Sequence, residues 1–269
     1  MRNNQRIPLN NDQLTKLAPA IFAEAPAQQV SNKYKFIPTI EVVDILRNQG
    51  WNPVQAFTSR VRDESREGFQ KHSIRFARED GAMIAGDSKP EILLTNSHDA
   101  KCAYQLHAAL FRMICSNGMV VADSTFEKVA IRHQGFEQSD VIDASYRVIE
   151  QVPMIAEKVE GYKSLELTRP QQLAFAQAAL KLKWADTGKE PIVAHDLLQT
   201  RRYKDEGTNL WHTYNTVQEN LIKGGVYAGR SKTSGRRQRT RKVNSINEDI
   251  RLNKALWTLT DEMSKLVTA

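Results

Sequence analysis

Apolar residues in the first half of the chain fall into short segments that either alternate with polar residues or run continuously. Ile74 and Phe76 alternate with polar neighbours, which is typical of a strand with one buried face. The apolar run 92–94 also predicts a strand. These two patterns predict strands over residues 69–78 and 91–95, and a third strand is predicted upstream of them over residues 54–62. Short polar linkers join them, so we expect an antiparallel sheet.

A longer periodic segment follows the third strand. Its apolar positions recur at helical spacing and predict a helix over residues 100–115; they are Ala103, Leu106, Leu110 and Ile114. Asn96, Ser97 and Asp99 are residue types that cap helix starts, and Gly118 suits a helix end. We therefore predict an α+β fold with a β-β-β-α core, in which this helix covers the antiparallel sheet.

Helical periodicity dominates the second half of the chain. The predicted helices are residues 39–49, 140–159, 171–185, 194–199, 208–223 and 245–266. Pro153 can kink or divide the second of them. We predict three regions, with the last packed on the core as one domain. They are an N-terminal arm of undetermined order at residues 1–31, an α+β core at residues 32–167 and a mainly helical region at residues 168–269.

Basic residues concentrate between the last two predicted helices. The net charge is +7, and residues 220–247 contain eight Lys or Arg and no Asp or Glu. Within this window, residues 226–242 are poor in apolar side chains, which predicts a mobile basic loop. Such a loop suits a polyanion, most often nucleic acid, and gives salt-dependent affinity. The predicted nucleic-acid-binding residues are Arg230, Lys232, Arg236, Arg237, Arg239, Arg241 and Lys242.

Two further groups of side chains are candidates for the same surface. Aromatic rings stack on unpaired bases, and four lie near the loop in sequence: Tyr203, Trp211, Tyr214 and Tyr227. At helical spacing such residues more often belong to a core, so we single out none of them. Three arginines extend the positive surface if they share a face with the loop: Arg75, Arg78 and Arg112.

The sequence predicts no catalytic residue, no metal site and no cofactor. Its histidines lack metal-ligand spacing, and it has no Gly-rich phosphate loop. The residue types of a hydrolase triad occur side by side at Ser97, His98 and Asp99. Adjacent side chains cannot converge on one catalytic centre, so we interpret this segment as a strand-to-helix turn. Asn215 and Glu219 share a helix face, where a solvated or hydrogen-bonded surface is favoured over a catalytic carboxylate.

The compartment follows from what the chain does not contain. No apolar run approaches the about 18 residues of a membrane helix, and the start MRNNQRIPLNNDQL lacks the apolar core of a signal peptide. We expect a cytoplasmic protein with no membrane partner.

Three blocks of sequence resemble a known family. They are LLTNSHDAKCAYQLHAALFRMICSNGMVVAD, LWHTYNTVQENLIKGG and INEDIRLNKALW. They are similar to the phage/plasmid-like protein family of unknown function, found in prophages and on conjugative plasmids. The resemblance implies a bacterial mobile-element protein and brings no established reaction. The family often has Gly after the Ser-His-Asp triplet, where this chain has Ala100, which argues against a special backbone conformation there.

A weaker resemblance is architectural. A β-β-β-α core with helices and a basic segment looks like single-strand annealing proteins of the RecT/Redβ/Erf kind. That resemblance implies annealing without metal or nucleotide, in rings or filaments that hold a strand in a positive groove.

The leading hypothesis is a non-enzymatic nucleic-acid-binding protein of a bacterial mobile element that anneals single strands in recombination. Its predicted partner is DNA, with single strands favoured, and self-association is expected. One alternative is a protein–protein module that inhibits a host defence or repair factor. Another is a metal-dependent nuclease, which would need carboxylates that converge in space.

Overall fold

The computed structural model describes residues 7–30, 34, 36–61, 63–81, 83–84, 86–102, 104–113, 117–121, 129–131, 138–184, 190–230 and 233–268. In sequence, the chain divides near Pro153 into two compact units. Within the described residues, the first unit holds a β-sheet and three α-helices, and the second holds five α-helices and a two-stranded ribbon. The predicted packing of the helical region on the core as one domain stays a prediction.

The sheet of the first unit is antiparallel throughout. Its strands are β1 Asn52–Thr58, β2 His72–Ala77, β3 Ser88–Asn96, β4 Tyr104–Arg112, β5 Asn117–Val120 and β6 Val129–Ile131. They lie in the order β1-β2-β3-β4-β5, and β6 pairs with β4. The three predicted strands are thus confirmed as β1, β2 and β3. The predicted α+β class, with an antiparallel sheet followed by a helical second half, is also confirmed.

The helix predicted over residues 100–115 is wrong. This segment contains β4, in which Leu106 pairs with Leu94 and Leu110 pairs with Met119. β4 is buried on both faces, so its sequence shows no clean alternation, and apolar residues four apart fit a strand as well as a helix. The core is therefore a run of successive antiparallel strands, not β-β-β-α.

Residues 7–30 of the N-terminal arm belong to the first unit and fold onto it. Helix α1, Asn11–Leu17, buries Leu14 completely, and Ile21 of the following 3-10 helix is also fully buried. The Leu9 amide donates a hydrogen bond to the Pro53 carbonyl of β1 at 2.7 Å. Hydrophobic burial and this backbone bond hold the arm onto the unit.

The remaining helices are confirmed within a few residues of their predicted bounds. They are α2 Thr39–Asn48, α3 Gln138–Glu150, α4 Val152–Ser164, α5 Arg169–Trp184, α6 Ala194–Leu197, α7 Leu210–Lys223 and α8 Ile246–Thr268. Pro153 lies in the first turn of α4, where its missing N–H removes no helical hydrogen bond. The proline thus separates α3 from α4, as predicted. No described helix combines the length and apolar composition needed to cross a membrane.

An aromatic cluster forms the centre of the second unit. The Tyr214 ring of α7 stacks on Trp211 at 5.5 Å between centroids and meets Trp257 of α8 edge-on at 5.9 Å. Tyr162 of α4 contacts the same Trp257 ring at 5.7 Å. These rings are almost completely buried, so α7 is the central helix of the unit.

The segment predicted as a mobile basic loop contains a β-ribbon. Its strands are β7 Tyr227–Arg230 and β8 Arg237–Arg239, paired antiparallel. The expectation of a loop rested on the shortage of apolar residues. A two-stranded ribbon that extends from a folded helical unit needs little core of its own, because backbone hydrogen bonds and contacts at its base hold it.

Candidate functional site

One face of the ribbon collects three arginines and a tyrosine. Tyr227 pairs with Arg239, and Arg230 pairs with Arg237. The register shifts between these pairs, so β7 uses one residue more than β8. Gly229, at φ +83°, supplies the left-handed conformation that such a bulge needs. Because residues opposite each other share a face, the bulge brings Arg230 to the same side as Tyr227.

The base of the ribbon is fixed to the C-terminal end of α7. Gly224 has φ +63° and ψ −151°, a conformation that is essentially restricted to glycine. A Cβ atom there would lie 2.6 Å from the Thr240 carbonyl oxygen. The Gly225 amide donates to that carbonyl at 2.8 Å, and the Thr240 amide donates to the Val226 carbonyl at 2.8 Å. The close approach of two backbones therefore positions the ribbon.

The positive charges of the ribbon are exposed and lack carboxylate partners within the described part of the chain. Five basic residues share this property: Arg236, Arg237, Arg239, Arg241 and Lys242. Arg230 is also exposed and donates to the Gly235 carbonyl at 3.1 Å, while Arg239 donates to the Gly225 carbonyl at 2.6 Å. Both bonds orient a guanidinium without neutralising it. The predicted Lys232 lies outside the described residues.

A cavity of about 380 Å³ lies at the foot of the ribbon. Tyr227 and Arg239 line it from the ribbon, and Asp196, Thr200 and Arg201 line it from the segment that contains α6. Sequence reasoning missed this cavity because it depends on residues from three separate segments. The bulge had a local signal, since Gly229 interrupts β7 and Arg237 and Arg239 alternate around Gln238.

The four aromatic candidates separate into two kinds. Trp211 and Tyr214 are fully buried in the aromatic cluster of the second unit. Tyr227 is 50 % exposed and Tyr203 is 85 % exposed. Of these two, Tyr227 lies on the basic face of the ribbon and lines the cavity.

Comparison with known proteins identifies the family. The model of the "Domain of unknown function (DUF932)" family matches residues 26–257. The chain belongs to the DUF932 family. Two similar relatives are the UPF0380 proteins YafZ and YfjQ of Escherichia coli (strain K12). Each is 39 % identical over 256 residues, which cover 95 % of this chain and 92 % of the relative. No solved structure matches.

The resemblance to a family of unknown function is thus confirmed for this DUF932 chain. Its three sequence blocks fall on β3 to β5, on α7 with the two glycines after it, and on α8. The mobile-element context and the similarity to annealing proteins stay predictions.

The Ser-His-Asp turn joins two strands in this DUF932 chain, not a strand and a helix. His98 and His72 both contact the Thr39 hydroxyl through Nε2, at 3.1 and 2.8 Å, and Asn96 donates to the same oxygen at 3.1 Å. These four side chains, which we call the Thr39 network, are completely buried. Asp99 instead forms an ion pair with Arg66. The triplet is therefore a turn, as predicted, and not a triad.

Hydrogen-bond geometry fixes the protons of the Thr39 network. His72 Nδ1 lies 3.1 Å from the Gln70 carbonyl, so it carries the proton and Nε2 accepts from Thr39. Thr39 then accepts from Asn96 and from His98 Nε2–H. Burial lowers the pKa of His72 to about 4. The network thus requires a neutral His72.

Ala100 has φ +57°, a left-handed conformation unusual for alanine. The turn therefore uses a left-handed backbone conformation, which the alanine at this position did not indicate from sequence. Glycine would adopt such a φ without strain.

The polar residues of α7 form hydrogen bonds inside the second unit. Glu219 is 4 % exposed at its side chain and pairs with Arg202 at 2.5 Å and with Lys223 at 3.2 Å. Burial alone would raise the pKa of Glu219, but these two cations lower it. Gln218 donates to Asn253 at 2.7 Å. The interpretation of α7 as a hydrogen-bonded helix face is confirmed.

Two of the arginines proposed to extend the positive surface are buried. Arg75 pairs with Glu91 at 3.0 Å, and Arg112 pairs with Asp87 at 2.6 Å. Arg78 is more exposed but forms a two-pronged pair with Asp80. That prediction is wrong for Arg75 and Arg112, because both are buried against a carboxylate. For Arg78 it stays a prediction. Within the described residues, no group of three or more His, Cys, Asp or Glu is placed to hold a metal ion.

Proposed function

We propose that this protein binds nucleic acid through the basic face of the β7–β8 ribbon. The observation that carries the proposal is the set of exposed arginines without carboxylate partners in the described chain. The bulge at Gly229 brings three of them, Arg230, Arg237 and Arg239, to one face of the ribbon, and Arg236 and Arg241 flank β8. Guanidinium groups bind phosphate oxygens with one or two hydrogen bonds. Two-stranded ribbons and basic grooves are established ways of contacting nucleic acid.

The physiological setting is part of the proposal. We place the protein in the bacterial cytoplasm, as a non-enzymatic factor of a mobile element that binds single strands and anneals them in recombination. Self-association would support this role, since several weak ribbons on one strand bind more tightly than one. No observation on the described residues favours the alternative protein–protein inhibitor or the nuclease.

The test is fluorescence anisotropy with labelled single-stranded and duplex DNA across a salt series. The wild type is compared with a variant in which Arg236, Arg237, Arg239 and Arg241 are changed to Gln. Each phosphate contact contributes roughly 0.7 to 0.9 to the salt slope, so the variant should lose about 3 from it. The variant should bind DNA weakly at every salt concentration.

A charge-matched variant serves as the control. It changes four exposed basic residues of the first unit to Gln: Lys16, Arg60, Lys101 and Arg147. This variant loses the same net charge but should keep the wild-type slope. Equal losses in both variants would show that net charge alone is responsible, and no binding by the wild type at low salt would overturn the proposal.

A further inference from the structure

The cavity at the foot of the ribbon has the features of a site for one flat, polar group. Its volume of about 380 Å³ lies in the range of about 300–1,000 Å³ typical of small-molecule sites. Val226 and the ring of Tyr227 give it an apolar part, while Asp196, Arg201 and Arg239 give it both signs of charge. Few chemical groups need an aromatic surface, hydrogen-bond donors and acceptors together, and a nucleobase is one.

The aromatic wall is available to a ligand. Tyr227 is half exposed, and its cross-strand neighbour on the same face is Arg239. Arg239 donates to the Gly225 carbonyl at 2.6 Å, which fixes its guanidinium at the cavity wall. A base stacked on the Tyr227 ring would therefore carry its phosphate beside a positioned positive charge.

The part of the lining that comes from the segment containing α6 offers positioned polar atoms. Arg201 donates through Nε to Asn220 at 2.9 Å and through Nη2 to the Gly224 carbonyl, and its Nη1 has no hydrogen-bond partner in the described part of the chain. Asp196 accepts from the Val193 amide through Oδ2 at 2.9 Å, so Oδ1 can accept another hydrogen bond. A rigid donor and a rigid acceptor suit the polar edge of a base.

From this arrangement we infer that the cavity receives one unpaired base of a bound single strand, stacked on Tyr227, while the ribbon arginines contact the phosphates. This inference rests on the proposed function and makes it narrower. A base inside a duplex is stacked on both faces and paired along its edge, so it cannot enter. The cavity thus accounts for a preference for single strands, which the arginines alone do not provide.

The experiment uses the full chain and a short oligothymidylate strand that carries one 2-aminopurine, whose fluorescence is quenched on stacking. Wild-type protein should alter this fluorescence. Tyr227→Ala should abolish the change and weaken single-strand binding roughly fivefold to a hundredfold. Its salt slope and its duplex affinity should equal those of the wild type, because no cation is lost.

Two variants control for the chemistry and the position of the ring. Tyr227→Phe keeps the ring and should keep both affinity and the fluorescence change. Tyr203→Ala removes a more exposed tyrosine that does not line the cavity, and should match the wild type.

The outcomes separate this inference from the proposed function. If Tyr227→Ala binds single strands like the wild type, or loses duplex and single-strand affinity equally, the base site is wrong while binding by the arginines stands. If the wild type binds no DNA at low salt, both fail.

Discussion

Two sets of arginines in this chain have opposite surroundings. In the sheet of the first unit, Arg75 and Arg112 are 5 % and 1 % exposed and lie against Glu91 and Asp87. On the ribbon of the second unit, the arginines are exposed. Within the described residues, two of them, Arg230 and Arg239, donate hydrogen bonds, and both bonds go to backbone carbonyls. The residue type is the same, but its partner differs.

The partner of each arginine decides what its charge can do. A buried guanidinium beside a carboxylate has lost its hydration and depends on that carboxylate for stability. An exposed guanidinium without a carboxylate keeps its hydration and its positive field, so it can exchange water and counterions for phosphate. The first set should therefore govern folding, and the second should govern binding.

The largest effect should come from breaking the buried pair. Glu91→Ala leaves Arg75 buried without its carboxylate, and we expect a loss of about 3–5 kcal/mol in the free energy of unfolding. Arg237→Gln on the ribbon should change stability by less than about 0.5 kcal/mol. Urea denaturation followed by circular dichroism measures both. A loss below about 1 kcal/mol for Glu91→Ala would contradict the distinction between the two sets.

The second effect concerns the base of the ribbon. Gly224→Ala forces a non-glycine residue into a glycine-only conformation and places Cβ against the backbone of Thr240 and Arg241. We expect a loss of about 3 kcal/mol in unfolding free energy, together with weaker DNA binding.

Gly235 supplies a matched control for this change. Its φ of +64° nearly equals that of Gly224, but no atom lies within 4 Å of the position that a Cβ would take at Gly235. Gly235→Ala should therefore cost only about 1 kcal/mol. Equal losses at the two glycines would contradict the role given to the close approach of Gly224 to Thr240.

The third expected effect is a pH dependence of stability caused by His72, another buried polar group of the first unit. It tests whether this group, like the buried arginines, governs folding. His72 has a pKa of about 4 in the folded protein and about 6.5 when unfolded. The unfolded state therefore binds more protons between these values, and stability falls as pH decreases through this window. The expected loss between pH 8 and pH 5 is about 2 kcal/mol.

Urea denaturation at several pH values measures this dependence. His72→Gln should be less stable at pH 8 but should lose the part of the slope that comes from His72. His195→Gln, at an exposed position of the second unit, should keep the wild-type slope. If His72→Gln also keeps it, the buried neutral histidine is not its source.

The success of sequence reasoning differed between local and long-range features. α2, α5 and α7 were predictable because each has a continuous apolar stripe and an end signal. β4 was not, because its two buried faces remove the alternation that identifies a strand. The Thr39 network joins residues 33 and 59 positions apart in the chain. These contacts join the start of α2 to β2 and to the turn after β3, so they depend on tertiary packing, which no local pattern contains.

The candidate site shows the same division. The basic composition of residues 226–242 was visible in the sequence, and so was the exposure expected of it. Which arginines share a face depended on the register of β7 and β8 and on one extra residue at Gly229. Likewise, only tertiary structure separates the buried Trp211 from the exposed Tyr227.

The smallest expected effect concerns the residue types that the two units have at left-handed backbone positions. The ribbon uses glycine at its left-handed positions, whereas the sheet unit has Ala100 at φ +57°. This conformation costs alanine roughly 1–2 kcal/mol, and replacement by glycine adds unfolded-state entropy of about 0.4–1 kcal/mol. Ala100→Gly should therefore stabilise the protein by about 0.5 kcal/mol.

The matched change Ala109→Gly, in the ordinary extended backbone of β4, should destabilise the protein, because it removes a buried methyl group and relieves no strain. Urea denaturation of the two variants side by side measures the difference. Destabilisation by both would mean that Ala100 does not adopt the left-handed conformation in solution.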